Sequence, residues 1–166
     1  MGEWSFSPKA SLVKQAVKLL RKTPFRTFAL YPLVVLTWES FLNRGSLLIE
    51  PLFMFLMIWG ALQYRLCGLY RIKHGGGGPG LDTPPERLVV TGPFAYTRNP
   101  MYLGHIIFLI GLTLALKSLL GALMTVVVAS WFHYRVLGDE EKLVQQLGQP
   151  YIAYTASVKR WIPGLF

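Results

Sequence analysis

The sequence predicts an all-α integral membrane protein with four transmembrane helices and a further helix at its C-terminus. Of the 166 residues, 52% are apolar and only 15% are charged, whereas a typical soluble domain carries about 25% charged residues. The mean hydropathy is +0.39. These values exclude a disordered chain, which is poor in apolar residues, and they disfavour a water-soluble globule. The length corresponds to a single membrane domain, residues 1–166.

Four stretches are apolar enough to cross a bilayer, which takes about 20 mostly apolar residues per helix. They cover residues 25–42, 47–64, 101–116 and 118–134. The last two contain no Asp, Glu, Lys or Arg, and only Lys117 separates them. A tight transmembrane hairpin is therefore predicted over residues 101–137. Each stretch is slightly short, so tilted helices or a thinned bilayer are expected.

Lysine and arginine residues are concentrated in three of the five segments outside these spans. The N-terminal segment 1–24, the central loop 65–100 and the C-terminal segment 138–166 are basic, whereas the other two loops hold only Arg44 and Lys117. By the positive-inside rule, both termini and the central loop are expected in the cytoplasm. Topology and anionic lipid then explain the net charge of +9. No nucleic-acid motif is present, and compactness favours a prokaryotic inner membrane.

The N-terminal segment has a basic amphipathic pattern over residues 8–22. Ser7 suits an N-cap and Pro8 the first helical position, with apolar residues at helical spacing among lysines. A helix lying on the cytoplasmic membrane surface fits this pattern. A solvated helix packed on the rest of the protein fits it equally. No small-residue cleavage site follows a short apolar run, so a cleaved signal peptide is not expected.

The central loop contains a glycine run over residues 75–80. Gly75, Gly77 and Gly80 match the pattern G-x-G-x-x-G, but no strand precedes the run and no clean helix start follows it. A flexible linker is therefore favoured over a nucleotide-binding loop. Further along, Gly92 and Pro93 predict a turn.

The entry to the third span is a candidate anion site. Asn99 suits the N-cap and Pro100 the first helical position. The helix N-terminus presents free N–H groups and a positive dipole end next to Arg98. An ordinary helix cap is the alternative, in which Tyr96 and Tyr102 are interface aromatics.

Asp139, Glu140 and Glu141 form an acidic cluster after the fourth span. Because both ends of the predicted hairpin are cytoplasmic, Glu140 is expected near Arg98, and the two charges together suit a zwitterionic ligand. A solvated acidic helix start is the alternative. Tyr151 and Tyr154, three residues apart, share one helical face.

His105 and His133 lie in the third and fourth spans, where ionisable residues are candidates for function. Two histidines without a neighbouring Asp or Cys do not make a metal site, so a hydrogen-bonded structural role is favoured for each. Cys67 is the single cysteine, which excludes a disulfide framework.

Two motifs carry a family resemblance. Residues 92–104, GPFAYTRNPMYLG, resemble the signature of the isoprenylcysteine carboxyl methyltransferase family, which membrane phospholipid methyltransferases share. The second half of the signature is similar to Asp139-Glu140-Glu141, Leu143, Gly148, Tyr151, Tyr154, Val158, Arg160 and Pro163. The similarity covers about residues 64–166. Asn99 stands where the family usually has His, and the acidic pair fits Asp139-Glu140 or Glu140-Glu141.

The resemblance implies an integral membrane enzyme that methylates a lipophilic acceptor, either a carboxylate such as isoprenylcysteine or a lipid amine. It implies a cytoplasmic-side pocket for S-adenosylmethionine, and no metal, with Tyr96, Arg98, Asn99, Pro100, Tyr102, Gly104, Glu140, Glu141, Tyr151 and Tyr154 as candidate contacts. Arg98 is expected to hold the donor carboxylate and Glu140 the ribose or amine. Gly104 is expected to allow close helix approach, and His105 is the candidate base for an amine acceptor.

Two rival functions remain for this fold. One is a non-catalytic scaffold or lipid-binding protein, which the change from His to Asn99 favours. The other is an enzyme like the sterol reductases, whose C-terminal halves are similar and which bind NADPH. The scaffold should not bind S-adenosylmethionine, and the reductase should prefer NADPH.

Overall fold

The computed structural model describes residues 8–78 and 80–162, and every regular element in this part of the chain is helical. The predicted N-cap Ser7 and the motif residue Pro163 lie outside the described residues. The α-helices are α1 (Pro8–Arg21), α2 (Thr23–Phe25), α3 (Tyr31–Leu42), α4 (Met54–Gly75), α5 (Pro100–Leu116), α6 (Leu119–Leu147) and α7 (Gln149–Ser157). Short 3₁₀ turns cover Pro51–Phe53 and Gly92–Ala95, the latter at the predicted turn. The all-α class is thus confirmed.

The first predicted span is a helical run that changes type along its length. A π-helical turn, Arg26–Leu30, joins α2 directly to α3. Pro32 lies in the first turn of α3, and a proline cannot donate the hydrogen bond to the carbonyl four residues earlier. The wider π turn accommodates that missing bond, as such turns do inside helices.

Helices α4 and α6 continue well beyond the predicted ends of their spans. The second span was predicted to end at residue 64, but α4 ends at Gly75; the fourth was predicted to end at residue 134, but α6 ends at Leu147. Both helices stop where a glycine adopts positive φ, Gly76 at 72° and Gly148 at 61°. Such glycines terminate helices efficiently because they lack a Cβ atom. The loss of hydrophobicity therefore marked the predicted ends of the spans, and the glycines mark the ends of the helices.

In the part of the chain that the structure describes, two helical segments are long and apolar enough to cross a membrane, Pro51–Gly75 and Leu119–Leu147. Only 17% and 22% of their most apolar windows are buried inside the protein. Their apolar side chains therefore face outward, which suits lipid rather than a soluble core. The prediction of four spans is therefore not confirmed: α5 is apolar but has only 17 residues, and the first predicted span is a run of α2, the π turn and α3.

Helices α4 and α5 cross at very short range because glycines face each other. A Cβ atom on Gly104 would lie 2.7 Å from the carbonyl oxygen of Gly60, and one on Gly60 would lie 2.5 Å from that of Gly104. Further along the same contact, a Cβ atom on Gly111 would lie 2.8 Å from the main-chain nitrogen of Met57. Small residues at such crossings let helix backbones approach and pack in a membrane. The close approach expected at Gly104 is therefore present.

The tight hairpin predicted at Lys117 joins α5 to α6. Lys117 adopts a left-handed conformation with φ of 48° and forms an ion pair with Glu50. The Ser118 hydroxyl accepts a hydrogen bond from the Gly121 amide at 3.0 Å, which caps α6. The same hydroxyl donates to Glu39 Oε1 at 2.6 Å. The end of the bundle opposite the motif residues is thereby held together.

The glycine run folds tightly around one arginine instead of forming a flexible linker. Arg71 is buried, and its Nη2 atom donates to the carbonyl oxygens of Gly78, Gly80 and Thr83. A Cβ atom on Gly77 would lie 2.5 Å from the carbonyl oxygen of Pro84. The linker prediction is wrong because an arginine near the end of the preceding helix supplies donors to carbonyls that would otherwise need water.

Replacing Arg71 with glutamine should loosen this loop. A hydrogen bond from a charged donor contributes about 1.5–3 kcal/mol. The free energy needed to open the loop should therefore fall by a similar amount. We expect faster limited proteolysis within residues 76–84 in membrane nanodiscs. Arg65→Gln, an exposed position on the same helix, is the matched control. Equal cleavage rates in both variants would contradict the role assigned to Arg71.

Candidate functional site

The two motifs meet at one cavity of about 350 Å³. Its walls are the loop that follows α4, the start of α5, the end of α6, and α7. The charged residues that line it are Arg71, Asp82, Arg98, Arg135, Asp139, Glu140 and Lys142, and its aromatic residues are Phe94, Tyr102, Tyr151 and Tyr154. Its size falls in the range of small-molecule sites, about 300–1,000 Å³.

Arg98 lies just before α5 and is fixed at both its main chain and its side chain. Its amide donates to the Lys159 carbonyl oxygen at 3.0 Å. Its Nη1 atom donates to the Thr155 carbonyl oxygen at 2.9 Å. Its Nη2 atom donates to Glu140 Oε2 at 3.3 Å, and its Nε atom lies 3.1 Å from Glu140 Oε1. The guanidinium is therefore held in one orientation at the cavity wall.

Glu140 lies between two guanidinium groups. In addition to Arg98, Arg160 donates from Nε to Oε1 at 3.1 Å and from Nη2 to Oε2 at 2.8 Å. The side chains of Arg98 and Glu140 are only 9% and 12% exposed, so this ion pair is weakly screened by solvent. Hydrogen bonding to Glu140 raises the pKa of Arg160 above its ordinary value.

A second charged network joins the loop after α4 to helices α5 and α6. The Tyr102 hydroxyl donates to Asp139 Oδ2 at 2.7 Å. Arg135 pairs with Asp82 in the loop, and its Nε atom lies 3.6 Å from Asp139 Oδ2. The loop with the glycine run is therefore attached to α6 through Arg135. Two acidic side chains of this network, Asp82 and Asp139, line the cavity.

Tyr151 and Tyr154 are both buried on the cavity side of α7. The Tyr154 hydroxyl donates to the Phe94 carbonyl oxygen at 2.6 Å, which connects α7 to the turn before α5. Burial raises the pKa of Tyr151 to about 12 and also raises the pKa of Tyr154. Both phenols therefore remain neutral hydrogen-bond donors at physiological pH.

Several predicted contacts do not line the cavity. Tyr96 is 69% exposed on the outside of its turn. Pro100 and Gly104 are buried in helix packing. Glu141 lines a shallower groove on the far side of Glu140. The remaining candidates, Arg98, Asn99, Tyr102, Glu140, Tyr151 and Tyr154, are brought together around the cavity.

His105 is fully buried in an aromatic cluster and does not line the cavity. The centroid of its ring lies 4.7 Å from that of Phe28 and 4.6 Å from that of Tyr64. Among residues 8–78 and 80–162, neither ring nitrogen has a hydrogen-bond partner, so the hydrogen-bonded state predicted for this residue is not found there. For His133 the prediction is confirmed, because its Nδ1 atom accepts from Trp161 Nε1 at 3.1 Å.

Asn99 does not cap α5 with its side chain. Instead its Nδ2 atom donates to the Arg160 carbonyl oxygen at 3.3 Å. The side chain is therefore directed to the C-terminal segment, and the predicted N-cap bond is absent.

Sequence reasoning missed two cavity arginines, Arg71 and Arg135. Arg71 belongs to the basic central loop and Arg135 to the basic residues that follow the fourth span, and the positive-inside rule explains both charges by topology. The signal that could have found them is that no proline interrupts the chain between Pro51 and Pro79 or between Pro100 and Pro150, so both helices can continue past their apolar stretches. A helix that continues past its apolar stretch carries its next charged residues to the same end of the bundle as the motifs.

Comparison with known proteins supports the family resemblance, and the family-model match covers the first motif and the start of the second. Residues 78–148 match the family model described as phospholipid methyltransferase. A protein-S-isoprenylcysteine O-methyltransferase from Schizosaccharomyces pombe is 32% identical over 77 residues, covering 46% of this chain and 33% of the relative. The match thus spans about a third of that relative's length. No solved structure matches the chain significantly.

Proposed function

We propose that this chain, whose residues 78–148 carry the phospholipid methyltransferase pattern, is an S-adenosylmethionine-dependent methyltransferase that acts on a lipophilic acceptor at the cytoplasmic membrane surface. Its resemblance to this family, drawn from the two motifs, is confirmed by both comparisons. One observation carries the proposal: motif residues far apart in the chain, Arg98 and Glu140 with three tyrosines, line a single cavity. The outward-facing apolar surfaces of α4 and α6 support a membrane location.

The residues around the cavity fit the chemical groups of S-adenosylmethionine. A guanidinium has five N–H donors, and the hydrogen bonds to Thr155 and Glu140 use one on each terminal nitrogen of Arg98. The remaining donors suit the methionine carboxylate. Tyr102 and Tyr151 offer aromatic faces for the adenine or the sulfonium. Bound there, the donor supplies a methyl group already activated by its sulfonium, so the protein's task is to position it.

The two neighbouring acids have different tasks in this proposal. The oxygens of Glu140 are engaged by Arg98 and Arg160, so Glu140 orients Arg98 instead of accepting from the ribose. Asp139 is a third exposed, receives one hydrogen bond from Tyr102, and lines the cavity. Its free lone pairs suit a ribose hydroxyl or the amine of the donor.

The charged residues of the cavity favour a carboxylate acceptor. An amine must lose a proton before it attacks a methyl group, whereas a carboxylate is already ionised. Among the described residues that line the cavity, none is histidine, and Asp82, Asp139 and Glu140 are all paired with arginines. His105, the predicted base, lies in the aromatic cluster. We therefore assign the acceptor as a lipophilic carboxylate such as an isoprenylcysteine.

Methyl transfer from labelled S-adenosylmethionine tests this function. The protein in nanodiscs would be incubated with a farnesylated cysteine derivative, with phosphatidylethanolamine vesicles, or with a lipid extract. We expect label in the farnesylcysteine product, released as methanol by mild base because a methyl ester is base-labile. Label that stays in the vesicles after treatment with mild base would show that the acceptor is an amine and not a carboxylate. Absence of methyl transfer in all three arms would contradict the proposed methyltransferase. Oxidation of NADPH, added separately with the lipid extract, would favour the reductase.

A further inference from the structure

The segment that follows α7, residues 158–162, lies across the start of α5, and we call it the C-terminal strap. Three hydrogen bonds attach its main chain to the first motif. The Arg98 amide donates to the Lys159 carbonyl oxygen at 3.0 Å. The Thr97 hydroxyl and the Asn99 amide group donate to the Arg160 carbonyl oxygen at 2.9 and 3.3 Å. Arg160 is therefore the residue of the strap with the most contacts to this motif.

The Arg160 side chain approaches Glu140 from the side opposite the cavity. It donates to both carboxylate oxygens. It lines the shallower groove that also contains Glu141, which we call the outer groove, and does not line the cavity. It is 28% exposed, whereas Glu140 is 12% exposed. Arg160 therefore does not line the cavity itself, and its contact with the cavity wall is made through Glu140 and Arg98.

Arg160 changes the net charge of the cluster that it forms with Glu140 and Arg98. A pair made only of Arg98 and Glu140 is neutral, so it attracts an anionic group weakly. With Arg160 on the same carboxylate, the cluster carries a net charge of +1, and Arg98 regains an unbalanced positive charge at the cavity wall. Glu141 faces the outer groove and is exposed, where solvent screens its charge.

We infer that Arg160 is a positioning residue of the donor site: it neutralises Glu140 and so leaves Arg98 oriented and positively charged toward a ligand carboxylate. This inference rests on the proposed function, because the ligand is the methyl donor. Trp161 holds the strap in place, since its Nε1 atom donates to His133 and its ring lies 6.4 Å from that of Tyr102.

Donor binding in two backgrounds tests this role. Arg160→Gln should raise the dissociation constant for S-adenosylmethionine about tenfold, the equivalent of one charged hydrogen bond. Arg160→Lys, which keeps the charge, should restore most of the affinity. Lys159→Ala is the matched control, because this exposed neighbour contributes only its main chain. In the Glu140→Gln background, Arg160→Gln should change the constant clearly less than in the wild-type background, because Arg160 no longer holds the carboxylate that orients Arg98.

Either of two binding results overturns the inference. One is an unchanged dissociation constant in Arg160→Gln. The other is the same tenfold loss in both backgrounds, which would show that Arg160 acts without Glu140, by its own charge or by a general structural effect.

Hydrogen exchange without any donor separates this inference from the proposed function. The peptide that contains Thr97, Arg98 and Asn99 should exchange about tenfold faster in Arg160→Gln than in the wild type and in Lys159→Ala. Unchanged exchange in Arg160→Gln would overturn the positioning role. If the wild type fails to bind S-adenosylmethionine, the proposed function fails, and the exchange result then decides whether Arg160 holds the strap.

Discussion

Replacing Arg98 with alanine should weaken the binding of S-adenosylmethionine by about 1.5–3 kcal/mol, the contribution of a hydrogen bond to a charged group. The loss corresponds to roughly a 10- to 150-fold higher dissociation constant. The physical reason is that Arg98 lines the cavity while Glu140 and the Thr155 carbonyl oxygen hold its guanidinium in place for the donor carboxylate. Isothermal titration calorimetry of the protein in nanodiscs measures the change directly.

Two further variants control this result. Arg87→Ala removes the same charge from an exposed position that does not line the cavity, and it should bind the donor like the wild type. Arg98→Lys keeps the charge but loses the two-pronged geometry of the guanidinium, so it should recover only part of the affinity. Equal affinities in Arg98→Ala and Arg87→Ala would remove the carboxylate-binding role from Arg98.

Replacing Gly104 with alanine should destabilise the fold by about 1–3 kcal/mol, the usual cost of overpacking. The added Cβ atom would lie 2.7 Å from the Gly60 carbonyl oxygen and 2.8 Å from the Tyr64 main-chain nitrogen. Both neighbours are backbone atoms, so α4 and α5 must separate to make room. Thermal unfolding in detergent micelles should show a lower melting temperature.

Gly138→Ala is the matched control for this substitution. Gly138 lies inside α6, and a Cβ atom there meets nothing within 4 Å. Because alanine favours a helix over glycine by about 1 kcal/mol, this variant should melt at the same or a higher temperature. If Gly104→Ala were as stable as Gly138→Ala, the close crossing of α4 and α5 would not contribute to the fold.

Local sequence patterns predicted the features of the fold that depend on few residues. The hairpin at Lys117 follows from one polar break between two uncharged stretches, and α7 follows from the spacing of its two tyrosines. The extent of α4 was not predictable from hydropathy, because the bilayer sets the length of the apolar stretch but glycine conformation sets where the helix stops. The ordered conformation of the glycine run depends on hydrogen bonds from Arg71 to three carbonyl oxygens. No recognised sequence motif indicates these bonds.

The candidate site was predictable only where a motif named its residues. Arg98, Glu140, Tyr151 and Tyr154 belong to the two motifs, and the structure brings them together. Arg135 lies outside both motifs, and its charge alone indicated topology. The burial of His105 among aromatic rings follows from the packing of Phe28 in the π turn against α5, which no spacing in the sequence reveals.

The central claim is that the cavity between the start of α5 and the end of α6 holds a methyl donor. Titration of S-adenosylmethionine into the wild-type protein in nanodiscs tests it most directly. We predict saturable binding of one molecule per chain, reversed by S-adenosylhomocysteine. A titration without saturable heat would contradict the claim, whether or not a parallel titration shows that the protein binds NADPH.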